Sequence, residues 1–158
     1  MGDVRGLLFR VYKMWSRLRP AKLTVGVRAL VFDEEDRICL VRHSYRDGWY
    51  LPGGNVKTGE SLVDAMQREL SEETGVELPE TPQSVHGVFS SFNQHKSDHV
   101  VVFVVKDWSI RSSVSPEIAE VGFFASDNLP DGTSTATTRR IKEHITGCLL
   151  YTSPSPRD

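Results

Sequence analysis

Glu60, Arg68, Glu69, Glu72 and Glu73 are set at fixed intervals within residues 54–76, which read GNVKTGESLVDAMQRELSEETGV. On a helical wheel advancing by roughly 100° per residue, Ala65, Met66 and Leu70 gather on the same side as Leu62 and define an apolar face. A solvated acidic helix would turn its glutamates to the other side. Asp64, Gln67 and Ser71 do so, lying opposite the apolar residues. Glu69 and Glu73 instead land in line with Leu62 and Met66, and Glu72 falls at the edge of that face. Carboxylates turned toward a core are costly unless a cation answers them.

Glu69, Glu72 and Glu73 in one arc, with Glu60 just before the helix, make a hard, all-oxygen donor set. Such a set suits Mg²⁺ or Mn²⁺, and the absence of His or Cys from the stretch argues against zinc. Magnesium commonly shares its shell with substrate phosphates, which points to a phosphate ester or anhydride. Gly53 and Gly54 let backbone approach a bound anion closely. Arg68 stands beside the acidic arc, where its planar fork can orient a glutamate as lysine could not.

The local element that must carry these groups is one helix. Ser61 with Asp64 three residues on is a capping signal, and Gly75 supplies the stop, so residues 61–74 are expected to be helical.

The spacing resembles the Nudix box: Gly, five residues, Glu, seven residues, then Arg-Glu-apolar-x-Glu-Glu-x-Gly-apolar. Gly54, Glu60, Arg68, Glu69, Leu70, Glu72, Glu73, Gly75 and Val76 fill it without departure. The resemblance implies an α/β/α sandwich with a mixed β-sheet over about residues 23–145. It also implies a hydrolase that cleaves a nucleoside diphosphate linked to another moiety. Glu69, Glu72 and Glu73 would hold Mg²⁺ or Mn²⁺, with Glu60 auxiliary, and Glu69, Glu117 or Glu120 would serve as base. A nucleoside triphosphate pyrophosphatase and a ligand-sensing domain without turnover are the other readings of the same box.

Around the box, the 158 residues, 39% hydrophobic and 25% charged, are enough for one domain with a true core. A formal net charge of −2 speaks against general nucleic-acid affinity but not against a small nucleotide. No apolar run approaches the roughly 18 residues of a membrane span. Residues 1–22 carry Arg5, Arg10, Lys13, Arg17, Arg19 and Lys22 against Asp3, with Leu8, Val11, Tyr12, Trp15 and Leu18 at helical spacing. They read as a basic amphipathic helix, packed on the domain or on a second subunit of a homodimer, or lying on a membrane surface. Charges interrupt any signal-peptide core.

Residues 23–32 alternate as a strand and residues 37–42 form a second, expected to pair with the first as a hairpin. A polar loop then leads to a short strand at 49–52, which delivers the chain to Gly53. Beyond the helix, strands are expected at 84–89, 99–107 and 117–124, with a connection at 90–98 and a second helix at 134–145. The strand at 99–107 is apolar enough for burial on both faces. The domain is bounded at 23–147. Residues 148–158, CLLYTSPSPRD, resemble an in-frame translation of a sequencing adapter and are expected to lie outside the fold. On that reading Cys39 has no partner for a disulfide, and a reducing cytoplasm is the expected compartment.

Outside the box, Arg42, His43, Tyr45 and Arg46 are candidate contacts to phosphate or sugar. Trp49, Tyr50, Phe89 and Phe92 are candidate stacking partners for a base. Each has a plainer alternative: a core position for Trp49 and Phe89, a surface ion pair for Arg42.

Overall fold

Strand β1, Lys22–Val31, buries apolar residues on both faces for a structural reason: each face packs under a different helix. In the computed structural model, which describes residues 22–79, 84–93, 96–110 and 114–148, Val27, Ala29 and Val31 meet Ala65, Met66 and Leu70 of helix α1, Leu62–Thr74. Leu30, with Phe32 just beyond the strand, turns the other way, to Ile141 of helix α2, Thr135–Thr146. The result is the expected α/β/α arrangement. The basic segment 1–21 and the tail 149–158 lie outside the described residues. No helix among those described is long and apolar enough to cross a membrane.

The central sheet is mixed, with Lys22–Val31, Lys96–Val105 and Ser84–Asn93 side by side in that order. Strand β5, Lys96–Val105, runs parallel to β1 from Lys22↔Lys96 to Val31↔Val105 and antiparallel to β4, Ser84–Asn93. Val101 to Val105 are buried from both sides, as a central strand between two helices requires. Strand β2, Ile38–His43, pairs antiparallel with β7, Ile118–Phe124. A small ladder joins β3, Val76–Glu77, to β6, Ser109–Ile110.

Two expectations need correction. The turn between β1 and β2 forms, with Asp33 Oδ1 accepting from the amide of Arg37 at 2.8 Å and Arg37 Nε donating to Asp33 Oδ2 at 2.7 Å. Past the Phe32↔Ile38 bridge, however, the strands part into different sheets and no hairpin ladder follows. The edge of β1 that a hairpin partner would take is used by the box loop. Of the residues expected as a connection at 90–98, 90–93 and 96–98 are instead the ends of β4 and β5, a longer antiparallel pair whose polar residues had hidden its strand character.

That edge pairing is what positions the site. Val27 donates to Gly54 O at 2.8 Å, Ala29 to Pro52 O at 3.0 Å, and Val56 to Val25 O at 2.9 Å. The loop before α1 is thereby stitched along β1. Upstream, Val41 and Tyr50 exchange backbone hydrogen bonds at 2.9 and 3.0 Å, so the short segment at 49–50 rests on β2. Helix α1 starts and stops as its ends dictate: Ser61 Oγ accepts from Asp64 N at 3.1 Å, and Gly75 closes it at φ 72°.

Candidate active site

Helix α1 rolls its apolar stripe onto β1, and this carries Glu69 and Glu73 to the seam between helix and box loop. Their side chains are only 14% and 12% exposed, whereas Glu72, at the edge of the stripe, is 54% exposed. The wheel's ordering holds, although Leu62 at the first turn is itself exposed.

Arg68 gathers the acids. Its Nε donates to Glu60 Oε1 at 2.7 Å and Nη2 to Glu60 Oε2 at 3.0 Å, a two-pronged grip. Nη1 reaches Glu69 Oε1 at 2.6 Å and Glu72 Oε2 at 3.4 Å, and Nη2 also donates to the carbonyl of Asn55 at 3.0 Å. These bonds hold the Glu60 carboxyl down at about 2, the Arg68 side-chain hydrogen bonds being the largest cause. They push Arg68 above its ordinary value.

Glu73 stands apart from that network. Its Oε2 accepts from the Gly53 amide at 2.8 Å, and its Oε1 lies 3.9 Å from His43 Nε2. Burial pushes Glu73 up to about 7, with the charges of Glu69 and Glu72 adding to the rise against the lowering pull of Gly53 and Arg28. His43 is lowered by burial and by Arg28 and Arg46, and its Nδ1 is buried without a hydrogen-bond partner. Tyr45 and Tyr50 flank the His43 ring at 5.2 and 5.9 Å between centroids, and the Arg46 guanidinium lies 4.0 Å over Tyr50.

The two glycines are close-approach positions. A Cβ on Gly54 would sit 2.5 Å from the Glu69 carboxylate, so that carboxylate lies directly on the loop. Gly53, at φ 132°, leaves no room: a Cβ would come 2.2 Å from Val27 O and 2.9 Å from the Arg28 Cα. Both obstacles are backbone and cannot swing aside. Gly53→Ala is therefore expected to destabilise the domain by about 2 to 4 kcal/mol, read as a drop in the urea midpoint at unchanged slope.

The other expected site residues divide. Glu117 is exposed and lies beside the His43–Ser44 corner, its carbonyl accepting from Ser44 N at 2.8 Å. Glu120, 52% exposed, is taken by Arg42, whose Nη2 donates to it at 2.7 Å across the β2–β7 ladder. The plainer reading of Arg42, a surface ion pair, is the one the geometry supports. Trp49 is corrected: at 8% exposure it packs edge-on to Phe124 inside the core, and Phe89 belongs to the same cluster. The Phe92 side chain lies outside the described residues. Arg28 was missed. It interrupts an apolar strand face between Gly26 and Leu30, which was the available signal.

Among the described residues no three acidic, His or Cys side chains surround a common point as a finished ligand set. The donors nonetheless fit a hard divalent cation: carboxylate oxygens only, one of them, on Glu73, buried with no arginine or lysine in contact and only His43 Nε2 at 3.9 Å. Cys39 takes no part, since burial pushes its thiol to about 12.

The comparisons with known proteins agree with this geometry. The NUDIX domain model matches residues 22–145. An ADP-ribose pyrophosphatase of Methanocaldococcus jannaschii is 30% identical over 118 residues, covering 72% of this chain and 66% of that protein. The human 8-oxo-dGDP phosphatase NUDT18 is 41% identical over 63 residues, 37% of this chain and 20% of the relative. This chain thus spans less than two thirds of the length of either. Among solved structures, a MutT NUDIX hydrolase from Burkholderia pseudomallei superposes with a TM-score of 0.67 at 26% identity, over 77% of this chain and 97% of the other. A UDP-X diphosphatase superposes with a TM-score of 0.61 at 28% identity, over 92% of this chain and 80% of the other. With a complete box on a capped helix, stitched to the first strand of a mixed sheet between two helices, the chain belongs to the Nudix hydrolase family.

Proposed function

We propose that this chain hydrolyses the diphosphate linkage of a nucleoside diphosphate joined to a second moiety, of the nucleotide-sugar, ADP-ribose or dinucleotide kind. The observation that carries the reading is the juxtaposition at the box loop. Glu73 is buried against the Gly53 amide, where the charges of Glu69, Glu72 and Arg28 act on it, and Arg28 and Arg46 act in turn on His43, whose Nε2 lies 3.9 Å from Glu73. Glu73, a buried acid with no arginine or lysine in contact, lies close to Arg28, a base that no described carboxylate pairs. A phosphate anhydride bound with a divalent ion satisfies both.

Glu69, Glu72 and Glu73 would hold Mg²⁺ or Mn²⁺, with Glu60 adjoining. When bound, the cation would neutralise diphosphate charge and make a water more acidic. The side chains do the rest. Arg68 orients Glu60 and Glu69 and keeps Glu60 ionised, and the box loop supplies backbone for the phosphates. Water adds to one phosphorus, the bridging P–O bond breaks, and a nucleoside monophosphate leaves beside a phosphorylated product. Proton removal from that water falls to Glu69 or to Glu117 at the His43–Ser44 corner. Glu120 is less suited while Arg42 neutralises it.

The relatives named for ADP-ribose and UDP-X support the derivative substrates. The test is product analysis with Mg²⁺ on ADP-ribose, UDP-glucose, a diadenosine polyphosphate, nucleoside triphosphates and 8-oxo-dGDP. Monophosphate from the first three is expected. Preferential cleavage of triphosphates or of 8-oxo-dGDP overturns the substrate assignment, and binding without turnover makes the domain a sensor. Independently of activity, saturating Mn²⁺ is expected to raise the melting temperature by about 5 °C or more, since a ligand at a hundred times its Kd adds about 2.7 kcal/mol. No shift would sink the metal site.

A further inference from the structure

Arg28 occupies a position on β1 where the strand otherwise turns Leu30 and Phe32 toward α2. Its Nη1 donates to the carbonyl of its neighbour Val27 at 2.9 Å, and its other donors have no partner among the described residues. Nor does any described carboxylate come within ion-pair distance. Arg37, Arg42, Arg68 and Arg140, by contrast, each hold a carboxylate at 2.6 to 2.7 Å, and Arg46, which holds none among the described residues, is exposed. Burial is the main influence on Arg28 and lowers its pKa, and the nearby charge of Arg46 lowers it further. A guanidinium partly withdrawn from water with most of its fork unused is costly to keep. A bound anion would use it.

Its surroundings identify that ligand. The Arg28 Cα lies directly beneath Gly53, the residue whose amide holds Glu73. Glu73 and Glu69 are the acids whose charge it feels most, yet neither is in contact with it. Arg46 and Tyr45 are near enough for their charges to act on it, and Tyr45 belongs with His43 and Tyr50 to one ring cluster. The group filling this space must therefore be anionic, must fit a planar fork, and must lie against the box loop.

We infer that Arg28 is the phosphate anchor of this site, its guanidinium binding non-bridging oxygens of the substrate's diphosphate on the side opposite the α1 carboxylates. Two donors on one fork match two phosphate oxygens, and a buried fork loses little freedom on binding. The inference rests on the diphosphate reading given above and adds a substrate-binding residue outside the box. The competing role is a brace that holds Glu73 by its charge. The two make opposite predictions about stability. Removing an unpaired buried charge leaves stability equal or higher, whereas removing a brace lowers it.

The experiment uses the full chain with Arg28→Met and Arg28→Lys. Inorganic pyrophosphate and α,β-methylene-ADP, which cannot be cleaved at its carbon bridge, are titrated calorimetrically with Mg²⁺ present, and Mn²⁺ is titrated alone. Arg28→Met is expected to melt at or above the wild-type temperature and to bind both probes at least tenfold more weakly. Its Mn²⁺ affinity is expected to stay within threefold. Arg28→Lys recovers part of the probe affinity but not all of it. Probe affinity unchanged in Arg28→Met overturns the anchor, as does a lowered melting temperature with an equal loss of Mn²⁺ affinity. Wild-type protein that binds the probes through Arg28 but hydrolyses no diphosphate sinks the hydrolase reading and leaves the anchor standing. Wild-type protein that binds neither probe sinks both.

Discussion

Glu73→Gln is expected to lower kcat on a true diphosphate substrate by roughly 10³-fold, a loss of about 4 kcal/mol of transition-state stabilisation, while leaving the domain folded. The amide is nearly isosteric, and its oxygen can still accept from the Gly53 amide that Glu73 Oε2 now engages at 2.8 Å. What disappears is one negative charge at the most buried donor of the proposed cation site. Turnover within about tenfold of wild type, a difference of only ~1.4 kcal/mol, would mean the cation is held elsewhere. A second signature belongs to the metal-free protein. Burial holds Glu73 at about 7, above its ordinary 4.5, so between those values the native state keeps a proton that the unfolded chain has released. Stability must then fall as pH rises through that window, and the full penalty, on the order of 3 kcal/mol, stands above pH 7. Glu73→Gln lacks the titration. In chelator, its stability advantage over wild type should be small at pH 5 and larger at pH 8, read from urea midpoints. An equal difference at both pH values would contradict the burial argument.

The same residue shows why this site was so legible in sequence. A helix has one period, so a carboxylate that shares its phase with Leu62, Met66 and Leu70 is marked as misplaced before any coordinates exist, and capping signals at Ser61 and Gly75 fix its ends. Strand information is weaker. A strand buried on both faces has no polar face to betray its partner, so β1 showed neither that β5 lies parallel to it nor that the box loop takes its other edge. That pairing is long-range, and it is what brings Arg28 under Gly53. Polar strand ends such as Ser90, Ser91 and Asp98 read as loop because nothing local says that they pair across a hairpin. Trp49 was ambiguous for a related reason: an aromatic beside a site stacks on substrate or on core, and only the position of Phe124 decides it.

Arg68→Ala is expected to cost roughly 100-fold in kcat, and for a reason distinct from that of Glu73. Arg68 spends its donors on the protein: it holds Glu60 at 2.7 and 3.0 Å, Glu69 at 2.6 Å, and the Asn55 carbonyl of the box loop at 3.0 Å. Removing it leaves three acids facing one another on α1 and its approach. The loop between residues 55 and 60 is freed from the helix, and Glu69 loses the contact that sets its carboxylate against Gly54. Charge-assisted hydrogen bonds of this kind contribute on the order of 1.5 to 3 kcal/mol where partly buried, so the melting temperature should fall by roughly 3 to 8 °C. Arg68→Lys separates charge from geometry. A point charge restores part of the stability, but it cannot grip both Glu60 oxygens and reach Glu69 at once, so kcat should remain at least tenfold below wild type. A further check follows from Glu60, held at about 2 against its ordinary 4.5. A depressed carboxylate adds stability above its unfolded value and surrenders it as pH falls toward the folded one, so wild type and Arg68→Ala should converge in stability between about pH 4.5 and 2. Should Arg68→Lys restore full turnover, the fork would be irrelevant and Arg68 would serve the site only as a counter-charge.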